Sequence, residues 1–237
     1  MGDEDVDLDH LVIRAFARIA PVGGKRFSFV DRIPRERGLG ASAAVIALGL
    51  IAATVVAGRQ ASHEDLLDEG FALEGHGDNL AAALAGGVCV TWGRRIARIA
   101  DRTPAVPIAL VPDSTVSTAA ARAALPLEVP HADAVFTAGK AALLGAALAS
   151  GSEGLFGEAL DDRLHEPYRA ATAPLLADVR HAPPAGALGS TISGSGPTVI
   201  VWARFEAAAA CAAELSRRHP DVSVLTLRVS SQGASPI

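Results

Sequence analysis

Residues 34–44 read PRERGLGASAA, and a run without charge continues from Ala41 to Gly58. Gly38 and Gly40 admit backbone angles that a Cβ would forbid, and they let a ligand approach the main chain. A helix that starts directly after them presents N–H groups with no intrahelical partner, and its dipole adds partial positive charge at the same end. Turn and helix together make a site for phosphate, to which Ser42 adds a hydroxyl for phosphate or Mg²⁺. A glycine turn capped by Ser42, with no ligand, is the plainer reading of the same residues. The stretch is not a Walker A loop. Gly139-Lys140 imitates one, but that pair sits in an alanine-rich helix without the preceding glycine or the following Ser/Thr. The apolar run approaches the length of a short membrane span. It is mostly Ala and Gly with Val, Ile and Leu, and it begins inside a turn rather than after flanking anchors. It therefore reads as the buried helix of a soluble protein.

The 237 residues suffice for one large domain or two small ones. Half are hydrophobic, 49 are alanine and only 4% are aromatic, so core volume must come from many small aliphatic contacts. Mean hydropathy is +0.31, which excludes a disordered polymer. The net charge of −5 offers no basic field for nucleic acid. Cys89 and Cys211 form neither a disulfide framework nor a C-x-x-C metal pair. The N-terminal MGDED has no apolar core and is not a signal peptide.

Working outward, Asp7 or Asp9 is expected to cap a first helix running to about Ile19, with Pro21 breaking it. Phe27 and Phe29 alternate with polar neighbours in a short strand. Ser62 with Asp65 predicts a capping box and a helix to about Leu73. Leu80 to Leu84 is helical, and a strand spans Val88 to Trp92. The charge-rich stretch Arg94 to Pro107 reads as the connection between domains. Ile108 to Val111 is a buried strand, Ser117 to Ala124 a short helix, and His131 to Ser150 a long one. A loop-rich part runs from Gly151 to Arg169, and a helix from Pro174 to Arg180. Strands are expected at 188–193, 198–202 and 222–229, with a helix from Phe205 to about Arg217 before the last of them. Strands and helices connected as β-α-β argue for an α+β sandwich.

A second glycine-rich stretch, residues 189–198, reads GSTISGSGPT. Alone it is as readily a hairpin turn. In order with the first loop it resembles the GHMP kinases, whose phosphate loop follows P-x-x-x-G-L-G-S-S-A-A and whose third motif is such a loop. Pro34 to Ala44 matches, with Ala41 in place of the first serine. The resemblance implies that Gly38, Leu39, Gly40, Ala41, Ser42, Ala43 and Ala44, with Gly194, Ser195 and Gly196, hold the phosphates of ATP. It also implies that Ser42 lies near Mg²⁺.

Three further segments are similar to the homoserine kinase branch of that family. Residues 73–87, LEGHGDNLAAALAGG, match E-G-H-P-D-N followed by a helix, with Gly77 for the proline. Glu74 then corresponds to the Mg²⁺ ligand, and Asp78 and Asn79 to substrate contacts. Read by themselves, Glu74 is a surface charge at a helix end, Asp78 and Asn79 cap the next helix, and His76 is a hydrogen-bonding residue rather than a base. Residues 111–126 match P-D-x-x-x-x-T-x-x-x-R-x-x-L-P. Thr118 and Arg122 lie four apart on one helical face. The resemblance puts Thr118 at the transfer site and Arg122 on the substrate carboxylate, which a planar guanidinium grips bidentately. Residues 161–169, DDRLHEPYR, supply Arg169 as a second carboxylate contact; His165-Glu166 is not H-E-x-x-H, so zinc is not expected.

The resemblance implies two domains. Residues 1–100 would be an incomplete ribosomal-protein-S5-like α+β domain that binds ATP, and 101–237 a ferredoxin-like α+β domain, with the ATP site between them. Residues 9–15, DHLVIRA, resemble the family's first helix in this region. Family members carry PATSANLGPGFD ahead of it. The chain as given begins after that motif, so it is expected to be a fragment, a misassigned start or a degenerate copy, and a poor kinase. The expected reaction transfers the ATP γ-phosphoryl group to the side-chain hydroxyl of L-homoserine in threonine biosynthesis, with ATP and Mg²⁺, in the cytoplasm. It needs no nucleic acid or membrane, and it leaves a homodimer open. The rivals are another GHMP kinase acting on a small alcohol, and a non-catalytic nucleotide- or metabolite-binding relic.

Overall fold

A computed structural model describes residues 9–236, and the candidate cap Asp7 lies outside them. The described residues form two compact units. The first holds residues 9–33, 40–101 and 229–236, and the second holds 34–39 and 102–228. Compared with a single cut near residue 100, two short segments have changed sides. The chain passes from one unit to the other inside the glycine turn, between Leu39 and Gly40.

The first unit is helical with one hairpin. Helix α1 (Leu11–Ala17) is capped by His10, whose Nδ1 accepts the Val12 N–H at 3.2 Å, so Asp9 is not the cap. The helix stops before Ile19 because its last turn tightens: Arg18 and Ile19 donate to Ala15 and Phe16, three residues back. Helix α2 (Ala41–Val56) follows the glycine turn. It crosses α1 at Gly49, where a Cβ would come within 2.4 Å of the Val12 carbonyl oxygen. Helix α3 (His63–Glu74) carries the expected capping box, with Ser62 Oγ accepting from Asp65 N and Asp65 Oδ2 accepting from Ser62 N. Helix α4 (Asp78–Ala85) leads to the hairpin β1 (Val88–Trp92) and β2 (Arg95–Ala100). Ile46, Leu50, Leu67, Leu80 and Leu84 make the core beside Ala15.

Three expectations change here. Phe27 and Phe29 do not form a strand; among the described residues no strand pairs with theirs. They are held instead by rings, Phe27 edge-on to Phe16 at 5.0 Å and Phe29 against His10 at 4.7 Å. The stretch 94–107 is a connector only in part, the chain passing between the units at Asp101–Arg102. Its arginines mask a strand, β2, that pairs antiparallel with β1 from Trp92↔Arg95 onward. Finally, the chain leaves its last strand early and returns to the first unit. There Gly87 N donates to Ser230 O at 2.7 Å and Ala234 N to Ala83 O at 2.8 Å.

The second unit begins with β3 (Val106–Val111) and the short helix α5 (Thr118–Ala123). The long helix α6 (His131–Ser150) follows. The expected loop 151–169 contains two short helices, α7 (Glu153–Glu158), capped by Ser152, and α8 (Glu166–Arg169). Then come α9 (Pro174–His181), β4 (Ala187–Ile192), β5 (Val199–Ala203), α10 (Ala208–Arg218) and β6 (Ser223–Thr226). The sheet order is β4-β5-β3-β6, with every neighbouring pair antiparallel. Because β5 and β6 flank β3, α10 carries the chain across it, a split β-α-β of the ferredoxin-like kind. Ile108, Leu110, Val201 and Leu215 fill one side of the sheet, while Ala109, Val111 and Ile200 pack with Leu39 on the other. That is the period of two along each strand. Among the described residues α6 alone is long and apolar enough to cross a membrane by length and composition. Its polar groups are engaged within the unit: Lys140 pairs with Asp161 at 3.1 Å, and Thr137 Oγ1 accepts from Arg163 N at 3.1 Å.

Candidate active site

In the first unit the site residues gather at the start of α2. Gly40 occupies the N-cap position with φ of 76°, and no side chain caps the helix. Ser42 therefore does not cap it. Its hydroxyl donates to the Glu74 carboxylate at the end of α3. The first turn of α2 carries no acidic residue. Its unshared N–H groups and dipole are suited to a phosphate, with the Glu74 carboxylate engaged through the Ser42 hydroxyl at the same end. Asn79 lies beside Gly40, its Cβ 3.9 Å from where a glycine Cβ would stand. Asp78 is the first residue of α4 rather than its cap; Gly77 holds that position. Burial works against ionisation of Asp78. The hydrogen bond from His76 Nδ1 at 2.8 Å, with backbone N–H groups, outweighs it and holds the carboxyl below its ordinary value.

Oxygen donors fit magnesium here. Mg²⁺ is commonly held by one or two carboxylates together with substrate phosphates and water. Ser42 and Glu74 supply a hydroxyl and a carboxylate side by side. Among the described residues no group of three His, Cys, Asp or Glu side chains is placed to hold a metal alone. Phosphate oxygens would have to complete the shell.

In the second unit the two glycine stretches lock together. Ser193 Oγ donates to the Gly38 carbonyl at 2.8 Å. A Cβ on Gly38 would stand 2.1 Å from the Ser193 carbonyl oxygen and 2.9 Å from that of Gly196. Only glycine fits there, and with φ of 74° it also avoids the left-handed strain of other residues. Arg37 anchors the same segment, donating to the carbonyls of Pro112 and Asp113, each at 2.7 Å. The 193–198 loop closes on itself through Ser193 N to Thr198 O and Gly196 N to Ser193 O.

Helix α8 holds this loop from behind. Arg169 Nη1 donates to Gly194 O at 3.0 Å. Asp162 fixes the turn that leads into the helix, accepting the N–H groups of Leu164, His165 and Glu166. Burial alone would raise the Asp162 carboxyl, yet these bonds and the His165 ring keep it below its ordinary value. Glu166 is buried. It accepts from Ile192 N at 3.0 Å and from Arg180 Nη2 at 2.6 Å, and burial still pushes its carboxyl up. A cavity of about 390 Å³ opens between α6 and α8, with Lys140, His165, Arg169, Thr191 and Gly194 in its wall.

The structure thus brings together Gly40, Ala41, Ser42, Ala43, Ala44, Glu74, Asp78 and Asn79 in the first unit. In the second it groups Gly38 and Leu39 with Gly194, Ser195, Gly196 and Arg169. Thr118 and Arg122 share the exposed side of α5, which only Ala121 anchors in the interior. Sequence reasoning gave no role to Arg37, Asp162, Glu166, Arg180 or Ser193. Arg37, Asp162, Glu166 and Ser193 lay inside quoted motifs. Nothing in the local pattern of Arg180 distinguishes it from an exposed helix arginine.

Comparison with known proteins agrees with this fold. The model of the GHMP kinases N terminal domain matches residues 10–87, and that of the GHMP kinases C terminal domain matches 144–221. The chain belongs to the GHMP kinase family. Within it, the chain is 40% identical over 205 residues to the homoserine kinase of a Synechococcus species, covering 82% of this chain and 67% of that one. It is 35% identical to the homoserine kinase of Clavibacter michiganensis, covering 99% and 81%. A solved homoserine kinase from Cytophaga hutchinsonii shares the fold with a TM-score of 0.75 at 24% identity, over 94% of this chain and 77% of that one. A Streptococcus pneumoniae phosphomevalonate kinase does so at 0.69 and 15%, over 94% and 84%.

Proposed function

We propose that this chain transfers the γ-phosphoryl group of ATP to the side-chain hydroxyl of L-homoserine, giving O-phospho-L-homoserine for threonine biosynthesis. The observation that carries the reading is the seating of Gly38 on Ser193. It joins the two loops that GHMP kinases place around phosphate, in a chain 35–40% identical to homoserine kinases.

The residues divide by charge. The first-turn amides of α2 and the loop of Gly194, Ser195 and Gly196 take the ATP phosphates. Ser42 and Glu74 hold Mg²⁺, which when bound neutralises charge on the phosphates. Homoserine is a zwitterion. Arg122 and Arg169 suit its carboxylate, and the ionised Asp78, with Asn79, suits its ammonium group. Thr118 orients the hydroxyl. That oxygen attacks Pγ, the bond to the β,γ-bridging oxygen breaks, and ADP leaves. The hydroxyl proton passes to a phosphoryl oxygen. No carboxylate is assigned as base, so rate enhancement rests on positioning and electrostatics. Cytoplasmic work is supported by two free thiols, Cys89 and Cys211.

A GHMP kinase for an alcohol without a carboxylate would have no use for two carboxylate-binding arginines, and homoserinol would serve it as well as homoserine. The test is ADP release with homoserine, homoserinol and mevalonate as acceptors, with the product identified by phosphorus NMR. Homoserine should be strongly preferred and EDTA should stop turnover. Equal use of mevalonate, or no turnover with homoserine, overturns the reading.

A further inference from the structure

Glu166 is a buried carboxylate to which the reaction above assigns no task. One oxygen takes the N–H of Ile192, the last residue of β4 before the glycine loop, at 3.0 Å. The other takes Arg180 Nη2 of α9 at 2.6 Å, and the same nitrogen reaches Ser190 O in β4 at 2.9 Å. Three elements therefore meet on one carboxylate. Two consequences run from it toward the site. Along β4, Ile192 is followed by Ser193, whose hydroxyl holds Gly38 at 2.8 Å. Along α8, Arg169 lies three residues on and donates to Gly194 O at 3.0 Å. The start of the loop is thus held at three consecutive residues, Ile192, Ser193 and Gly194, by groups tied to Glu166.

The Glu166–Arg180 pair, buried only on the Glu166 side, is weak evidence of stabilisation, because desolvation of the carboxylate and water around the exposed guanidinium offset most of its attraction. What it does supply is a fixed geometry. A carboxylate with directional partners on both oxygens tolerates only a narrow range of positions for α8, α9 and β4. A site that works by positioning loses activity steeply when its loops shift by about 1 Å.

We propose that Glu166, braced by Arg180, is the positioning residue for the 193–197 loop and for Arg169, and so sets affinity for both the nucleotide phosphates and the substrate carboxylate. This rests on the function proposed above, and the experiment separates the two. Homoserine turnover by the unaltered chain tests the function alone. Loop order and nucleotide binding test the positioning role without turnover. Hydrogen exchange at Ser193 and Gly196, and binding of the Mg²⁺ complex of the ATP analogue AMPPNP, are measured in E166A, E166Q and R180K. L215A, on the core face of α10, serves as a control of matched urea midpoint. In E166A the two loop amides should exchange roughly ten-fold faster and AMPPNP should bind about ten-fold more weakly. E166Q keeps an acceptor for Ile192 N and should recover most of both losses. L215A should leave both near the original values. If E166A does not fold, R180K, which keeps the charge but loses the fork, carries the comparison. The proposal is overturned if E166A, or R180K in its place, differs from L215A in neither readout.

Discussion

Gly38 tolerates least change of any site residue. An alanine there would place its Cβ 2.1 Å from a backbone oxygen, at a positive φ. The conformational strain alone is about 1–3 kcal/mol, and the Ser193 loop must also retreat. Gly38→Ala is therefore expected to lower the melting temperature and to weaken AMPPNP binding together; binding unchanged in a folded variant would detach the loop from phosphate. Glu74 is a different case, since its side chain supports only Ser42. Glu74→Gln should leave stability near that of the parent while turnover falls by ~10²–10³ across a Mg²⁺ titration. For Arg122 and Arg169, leucine variants should raise the KM for homoserine far more than that for homoserinol, which lacks the carboxylate. Each charge-assisted contact is worth about 1.5–3 kcal/mol. Arg169→Leu should also disturb AMPPNP, because Arg169 holds Gly194 O; Arg122 holds nothing in the loop, so its variant should not.

Among the elements, α8 shows how four residues become a fixed support. Too short to persist alone, it is held by Asp162 at its start and by Glu166 against β4. The two carboxyls respond to pH with opposite sign. Asp162 is held below its ordinary value in the fold, so its contribution is present above the ordinary carboxylate range and is lost as pH falls through the depressed folded value. Glu166 is raised by burial, so the stability it contributes is greatest at low pH and declines as pH rises from the ordinary range through its raised folded value. Exchange of the 164–169 amides, corrected for intrinsic rates, should therefore accelerate on acidification below the ordinary Asp range. Asp162→Asn should abolish that dependence, and persistence of the acid limb in the variant would assign it elsewhere. The Phe27–Phe29 stretch shows the converse. Its alternation has the period of a strand, but a strand exists only through a partner's hydrogen bonds. Ring contacts to Phe16 and His10 hold it without one.

At the scale of the whole molecule each unit has its own core, built largely from alanine and medium aliphatic residues. Leu67 in the first and Leu110 in the second are fully buried. Truncating either to alanine should cost about 2–5 kcal/mol, a large part of a typical 5–15 kcal/mol. Exchange should quicken in α2–α4 for Leu67→Ala and in β3–β5 for Leu110→Ala; no change in the unit that carries the substitution would contradict its core assignment. The amino-acid pattern by itself determined the long helices, the capping box at Ser62, the α+β class and both glycine loops. These follow from short-range rules of period, cap and turn that need no distant partner. Resemblance to the family's motifs, whose spacing survives in one dimension, pointed to Glu74, Asp78, Arg122 and Arg169 as candidate site residues. Only the tertiary structure decided that residues 34–39 pack with the second unit and that 94–100 turn back as a strand. It alone showed that Ser42 meets Glu74 instead of capping its helix and that Glu166 and Arg180 brace the loop. The hairpin of 94–100 on 88–92 is local and was hidden by its arginines; the others depend on partners farther along the chain, and burial or pairing over such distances leaves no local periodicity to read.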